Sequence, residues 1–174
     1  MTSSKLLDPC KIRLDPKSYY LGDIVSKVSD GKIILPELSS EIAWDLSTRV
    51  RFIESILLRV PLGLFYFVDS NIYSNNEVTM NVIDGVQRLV AIQDFLSNNF
   101  PLVELEYMEQ SGKHFQDLSS YLQRRLNETT ITGYVHWYLE SNEINRNLFS
   151  RIRLPEYLSS VEIDKRLAYL GWTV

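Results

Sequence analysis

The feature that most restricts how this chain can fold is the passage from Val78-Thr79-Met80-Asn81-Val82-Ile83 to Val86, Leu89, Ile92 and Leu96, with only Asp84-Gly85 between them. The first run is rich in strand-forming residues, and the second places apolar side chains on one face of a helix. A strand must therefore hand over to a helix within a two-residue turn, and Gly85 is the residue type that allows so tight a turn. Asn98-Asn99 and Pro101 mark the end of that helix.

The rest of the chain alternates between helical and strand patterns. Residues 1–17 contain two Asp-Pro steps, Asp8-Pro9 and Asp15-Pro16, which disfavour helix and read as an extended lead-in. A single folded domain over residues 18–174 is expected to follow. Leu21, Ile24, Val25 and Val28 predict a short amphipathic helix that stops at Asp30-Gly31, and Lys32-Ile33-Ile34-Leu35 reads as a strand. Asp45 is a plausible N-cap for a helix to about Arg59, whose core stripe is Leu46, Val50, Ile53, Leu57 and Val60. Pro61 and Gly63 break it, and Leu64–Val68 is a buried strand expected to form an antiparallel hairpin with the strand near residue 78. A strand at 102–107, a helix at 118–126, a strand at 129–137 and helices at 142–151 and 159–169 complete the expected order, giving an α+β fold.

At 174 residues with 45% apolar content, the chain is long enough to bury roughly two-thirds of its unfolded surface in one core. Its net charge of −4 excludes a global basic field, so any DNA contact must be local. Cys10, the one cysteine, cannot build an intramolecular disulfide or a thiolate-rich zinc site and reads as a plain thiol. No window approaches the roughly 18 apolar residues of a membrane span, and the N-terminus lacks the apolar run of a signal peptide. A cytoplasmic protein with no membrane contact is the expectation.

The backbone amides at the start of the helix after Gly85 are a natural place for an anion. Gly85 lets a ligand approach, Arg88 lies one turn in and can fork onto phosphate oxygens, and Gln87 can hold a water or a base edge. Asp84 repels a bare phosphate, so its role would be to bind a magnesium ion bridging the phosphates or to orient a water. The alternative from residue chemistry is structural: Asp84 as a cap, Gly85 as a turn residue and Arg88 as a solvated charge.

VIDGVQRLVAIQDFL resembles the Asp-Gly-Gln-Gln-Arg signature of ParB/sulfiredoxin-like domains at the N-terminus of GmrSD-type modification-dependent restriction enzymes. LPELSSEIAWDLSTRVRFIESILLRVPLGLFYF is similar to that family's upstream block through Trp44, Ile53-Glu54-Ser55-Ile56-Leu57 and Pro61. LFSRIRLPEYLSSVEIDKRLAYLG resembles its closing Phe-x-Arg-Ile-Asn segment. The resemblance spans residues 20 to 171 and implies a small mixed sheet packed against several helices. It also implies a site for GTP or ATP with magnesium: Asp84, Gln87 and Arg88 as catalytic residues, Gly85, Arg88 and Arg151 as cofactor-binding residues, Asp84 as the metal ligand, and Glu162 as a neighbour. In that family nucleotide hydrolysis gates cleavage by a separate nuclease domain, so a nuclease subunit or a full-length relative is the implied partner. Val86 stands where the signature has its first Gln, Ser39-Ser40 where Gln-Arg is expected, and Arg153 where Asn is expected. These departures keep open a non-catalytic interaction module, a regulator or decoy that has lost hydrolysis.

Other groupings point less far. His114 and His136 are too far apart in sequence for a zinc or nuclease motif. Tyr134, Trp137 and Tyr138 read as packing around a strand. Arg124-Arg125 with Arg146, Arg151 and Arg153 can form a local basic patch for DNA, or simply solvated helix faces.

Overall fold

The computed structural model describes residues 10, 13–36, 43–69 and 79–137. In chain order these form β1 (Leu14–Tyr20), α1 (Leu21–Ser29), β2 (Ile33–Ile34), α2 (Leu46–Leu57), β3 (Leu64–Asp69), β4 (Met80–Asp84), α3 (Val86–Leu96), a 3-10 turn (Phe115–Asp117), α4 (Ser120–Asn127) and β5 (Thr130–Trp137). The strands make one sheet in the order β1-β5-β3-β4-β2. It is mixed: β1 with β5 and β3 with β4 are antiparallel, while β3 with β5 and β2 with β4 are parallel. The fold is α+β, as expected.

One face of the sheet carries Phe65, Phe67, Val82, Ile131 and Val135, and the helices cover it with Leu21, Ile24, Ile53, Ile56, Leu89, Ile92, Phe95 and Leu126. Period-two alternation in the strands and helical spacing in the helices meet in this cluster, whose burial drives the fold. Gly133 belongs to the fit, because a Cβ there would stand 2.5 Å from Phe67 Cε2.

Helix boundaries follow local chemistry. Asp45 caps α2 by accepting from the Thr48 amide at 2.8 Å, and the Ser119 side chain accepts from the Leu122 amide at the start of α4. At the other end of α2, Arg59 adopts a left-handed φ of 62°. Its amide donates to Ile56 O at 3.0 Å and the Val60 amide to Ser55 O at 2.9 Å, a Schellman closure. The α2 stripe is core at Val50, Ile53 and Leu57, while Leu46 and Val60 at its ends are exposed.

Three expectations are corrected. The extended lead-in over residues 1–17 is not all outside the fold, since the sheet begins at Leu14 instead of near Ser18. Pro16 is tolerated because β1 is an edge strand, where its missing N–H need not pair. The strand at 102–107 does not form. Leu102 donates to Lys113 O, Glu104 has a φ of 50°, and the amides of Glu106 and Tyr107 donate to the buried Glu54 carboxylate at 3.2 and 2.7 Å. A carboxylate thus takes donors that a neighbouring strand would otherwise use. Finally, α2 stops at Leu57, short of Arg59. The helices expected at 142–151 and 159–169, with Arg146, Arg151, Arg153 and Glu162, lie outside the described residues, as do Ser39, Ser40 and Tyr138. Among the described residues no helix is long and apolar enough to cross a membrane.

Candidate functional site

Antiparallel pairing sets Asp84, the last residue of β4, opposite Tyr66 of β3. The chain then turns through Gly85 at φ 100° into α3. That backbone conformation requires glycine, and so does the space, because a Cβ would lie 2.3 Å from Phe65 Cδ1. The expected approach path for a ligand at Gly85 is therefore occupied by the Phe65 ring, and Gly85 and Val86 are both buried.

Arg88 lies one turn into α3 and joins three backbone segments. Nη1 donates to Leu62 O at 2.5 Å, while Nη2 donates to Leu64 O at 2.8 Å and to Asp84 Oδ2 at 3.1 Å. The guanidinium also sits 4.1 Å from the Phe65 ring centroid. The side chains of Arg88 and Asp84 are 16% and 14% exposed. A guanidinium so placed binds the carbonyls of Leu62 and Leu64, and its charge is balanced by Asp84. Neither a freely solvated charge nor an idle phosphate fork describes it.

Gln87 also has a protein partner. Its Oε1 accepts from the Trp44 amide at 3.1 Å, and Arg49 continues the link by donating to Trp44 O at 3.0 Å and to Asp94 Oδ2 at 2.8 Å. Gln87 and Arg88 together tie the segment before α2 and the turn after it to the first turn of α3.

Beside Asp84, Tyr66 stacks on Tyr134 with ring centroids 5.6 Å apart. Burial, then the neighbouring Tyr134 and Asp84, push the Tyr66 hydroxyl above the usual phenol range, so it is neutral at ordinary pH. Tyr134 was expected to pack, and does. Tyr66 and Phe65 carry no signal in the sequence beyond a buried strand, although both border the junction. Trp137 is likewise structural, donating from Nε1 to Asp15 at 3.0 Å on the edge strand.

Asp84 is the one sequence-expected metal ligand, and no group of three or more His, Cys, Asp or Glu converges among the described residues. A lone carboxylate suits magnesium only where phosphate oxygens and water supply the other ligands. His114 faces Asp117 in the 3-10 turn, and His136 is buried in β5, where burial lowers its pKa and keeps it neutral. The two do not form a metal pair.

Residues 21–168 match the family described as GmrSD restriction endonuclease, N-terminal domain. No curated protein and no solved structure matches the chain.

Proposed function

This chain belongs to the GmrSD restriction endonuclease N-terminal domain family, and on that premise we propose that it is a nucleotide-responsive sensor or switch domain of a DNA-restriction or phage-defence system. The observation that carries this reading is the placement of Arg88, one cation that holds the Leu62 and Leu64 carbonyls to Asp84. Phosphate oxygens compete for the same fork, because a guanidinium meets phosphate through two parallel bonds and opposite charge, whereas the carbonyls it now binds are neutral. Transfer of Arg88 to a nucleotide phosphate would free the Pro61–Leu64 turn and release Asp84 as a magnesium ligand. Binding would then be read out as a movement of backbone, which is what a switch requires.

Magnesium, held by Asp84 and the phosphates, would supply charge neutralisation, and Arg151 is the second cation that the family resemblance implies. Hydrolysis asks more of the chain, because Gln87 must leave the Trp44 amide to position a water. DNA cleavage would belong to a nuclease subunit or a full-length relative.

A second reading is favoured by the covering of Gly85 by Phe65 and by Val86 in the signature. In it the same residues only lock the fold, and the domain is a non-catalytic interaction module. Calorimetry with GTP and ATP in magnesium, together with phosphate-release assays, separates the two on the wild type, Asp84→Asn and Arg88→Lys, with circular dichroism to establish folding. The switch reading expects wild-type binding that falls at least about tenfold, or ~1.4 kcal/mol, in Arg88→Lys. Absence of nucleotide binding in the folded wild type removes the nucleotide role and leaves the interaction module.

A further inference from the structure

We infer that a second anion site, distinct from the Asp84–Arg88 junction, lies between the C-terminal end of α2 and the last turn of α4 and takes the phosphate groups of nucleotides, free or within a strand. A cleft of about 470 Å³ opens there, and its lining includes Arg59, Leu62, Tyr121, Arg124, Arg125 and Glu128. Three guanidiniums face one carboxylate, which gives a chain of net charge −4 a local positive field.

Each arginine is held differently from Arg88. Arg124 approaches Glu128 only to 3.9 Å, with both side chains largely exposed (70% and 65%), so the pair neutralises little. Arg125 donates from Nη1 to Tyr121 Oη at 3.0 Å, while its Nε is shielded from solvent and meets no acceptor among the described residues. Buried donors without an acceptor are rare, and a small shift of the Arg125 side chain toward the cleft would let a bound anion satisfy this one. Arg59 is exposed and makes no ion pair among the described residues.

The helix dipole accounts for cations in the last turn of α4. It does not account for Arg59, which occupies a left-handed position, φ 62°, where glycine is the usual residue. A strained charged residue facing two further arginines across a cleft is placed for a ligand. Tyr121, 57% exposed, adds a ring on which a base can stack while its phosphate meets the guanidiniums. Leu62 lines the cleft and its carbonyl is held by Arg88, so the two sites share one turn.

The test uses fluorescence anisotropy with labelled single-stranded and duplex oligonucleotides, and calorimetry with ATP, all at low ionic strength and then across a salt series. The variants are the double charge reversal Arg59→Glu/Arg124→Glu, on exposed side chains, and Arg88→Lys. The wild type is expected to bind, and the double reversal to lower affinity at least tenfold. Replacing the two arginines should also flatten the single-strand salt slope by about 1.4, at roughly 0.7 per phosphate contact. A fall in the double reversal confined to oligonucleotide binding assigns the cleft to a strand, and a fall confined to ATP binding assigns it to a free nucleotide. Failure of every probe at low salt, or equal affinity in the double reversal, overturns the inference. Loss in Arg88→Lys alone overturns it too, while leaving the junction reading intact.

Discussion

At the start of α3, Arg88 is 16% exposed and bonded to Asp84 and two carbonyls, whereas on the other side of the Pro61–Leu64 turn Arg59 is exposed and pairs with no described residue. Both are single arginines near a helix end, and their chemistry as residues is identical. Tertiary surroundings make one a structural clamp and the other an available charge. A ligand at Arg88 must displace internal bonds and so couples binding to movement. A ligand in the Arg59 cleft meets three guanidiniums balanced by one carboxylate, and its affinity should be strongly salt-dependent.

The comparison breaks most sharply at Arg88 itself. Arg88→Ala removes the bonds to two carbonyls and leaves Asp84 without this partner at 14% exposure. It should cost about 3 kcal/mol in urea denaturation, and a loss below ~1 kcal/mol would mean that the clamp contributes little. Gly85→Ala is next, at roughly 2–3 kcal/mol, because the new methyl meets Phe65 at a φ that disfavours side chains. If instead this variant is as stable as the wild type, Phe65 moves freely and the junction is more open than its packing implies.

Arg59→Gly should act in the opposite direction. Relief of the left-handed strain is expected to raise stability by about 1 kcal/mol, with a loss of anion affinity in the cleft. A variant that gains stability and loses binding is hard to explain by structural damage, so thermal melts and titrations on the same sample sharpen the contrast.

The smallest effect concerns α2, which joins the two regions through the capped end near Gln87 and the Arg59 end. Hydrogen bonds from the Thr48 side chain and backbone and from Ser47 hold the Asp45 carboxyl below its ordinary range. A lowered folded pKa means that the cap's contribution is complete above about pH 4 and is lost as the pH falls through the lowered value. Asp45→Asn should flatten that part of the acid-stability profile while leaving the cleft's salt dependence unchanged.

Much of this architecture was legible in the sequence. The β4-to-α3 passage, the hairpin partner Leu64–Val68, the Asp45 cap and the order from α1 to α3 follow from periodicity and turn chemistry, which are local properties. The candidate site was legible as a location only. That Phe65 covers Gly85, that Arg88 is taken by the Leu62 and Leu64 carbonyls, and that Gln87 binds the Trp44 amide depend on contacts between segments distant in the chain. The missing strand at 102–107 has the same origin, since its amides are met by Glu54, about fifty residues earlier.

By itself the sequence determined the element types, the apolar faces and the position of the strand-to-helix turn, because spacing and backbone preference act over a few residues. Which charges are neutralised and which face solvent was decided only in the tertiary structure. A guanidinium is equally charged wherever it stands, and its availability depends on the carbonyls, carboxylates and rings that folding brings within bonding distance.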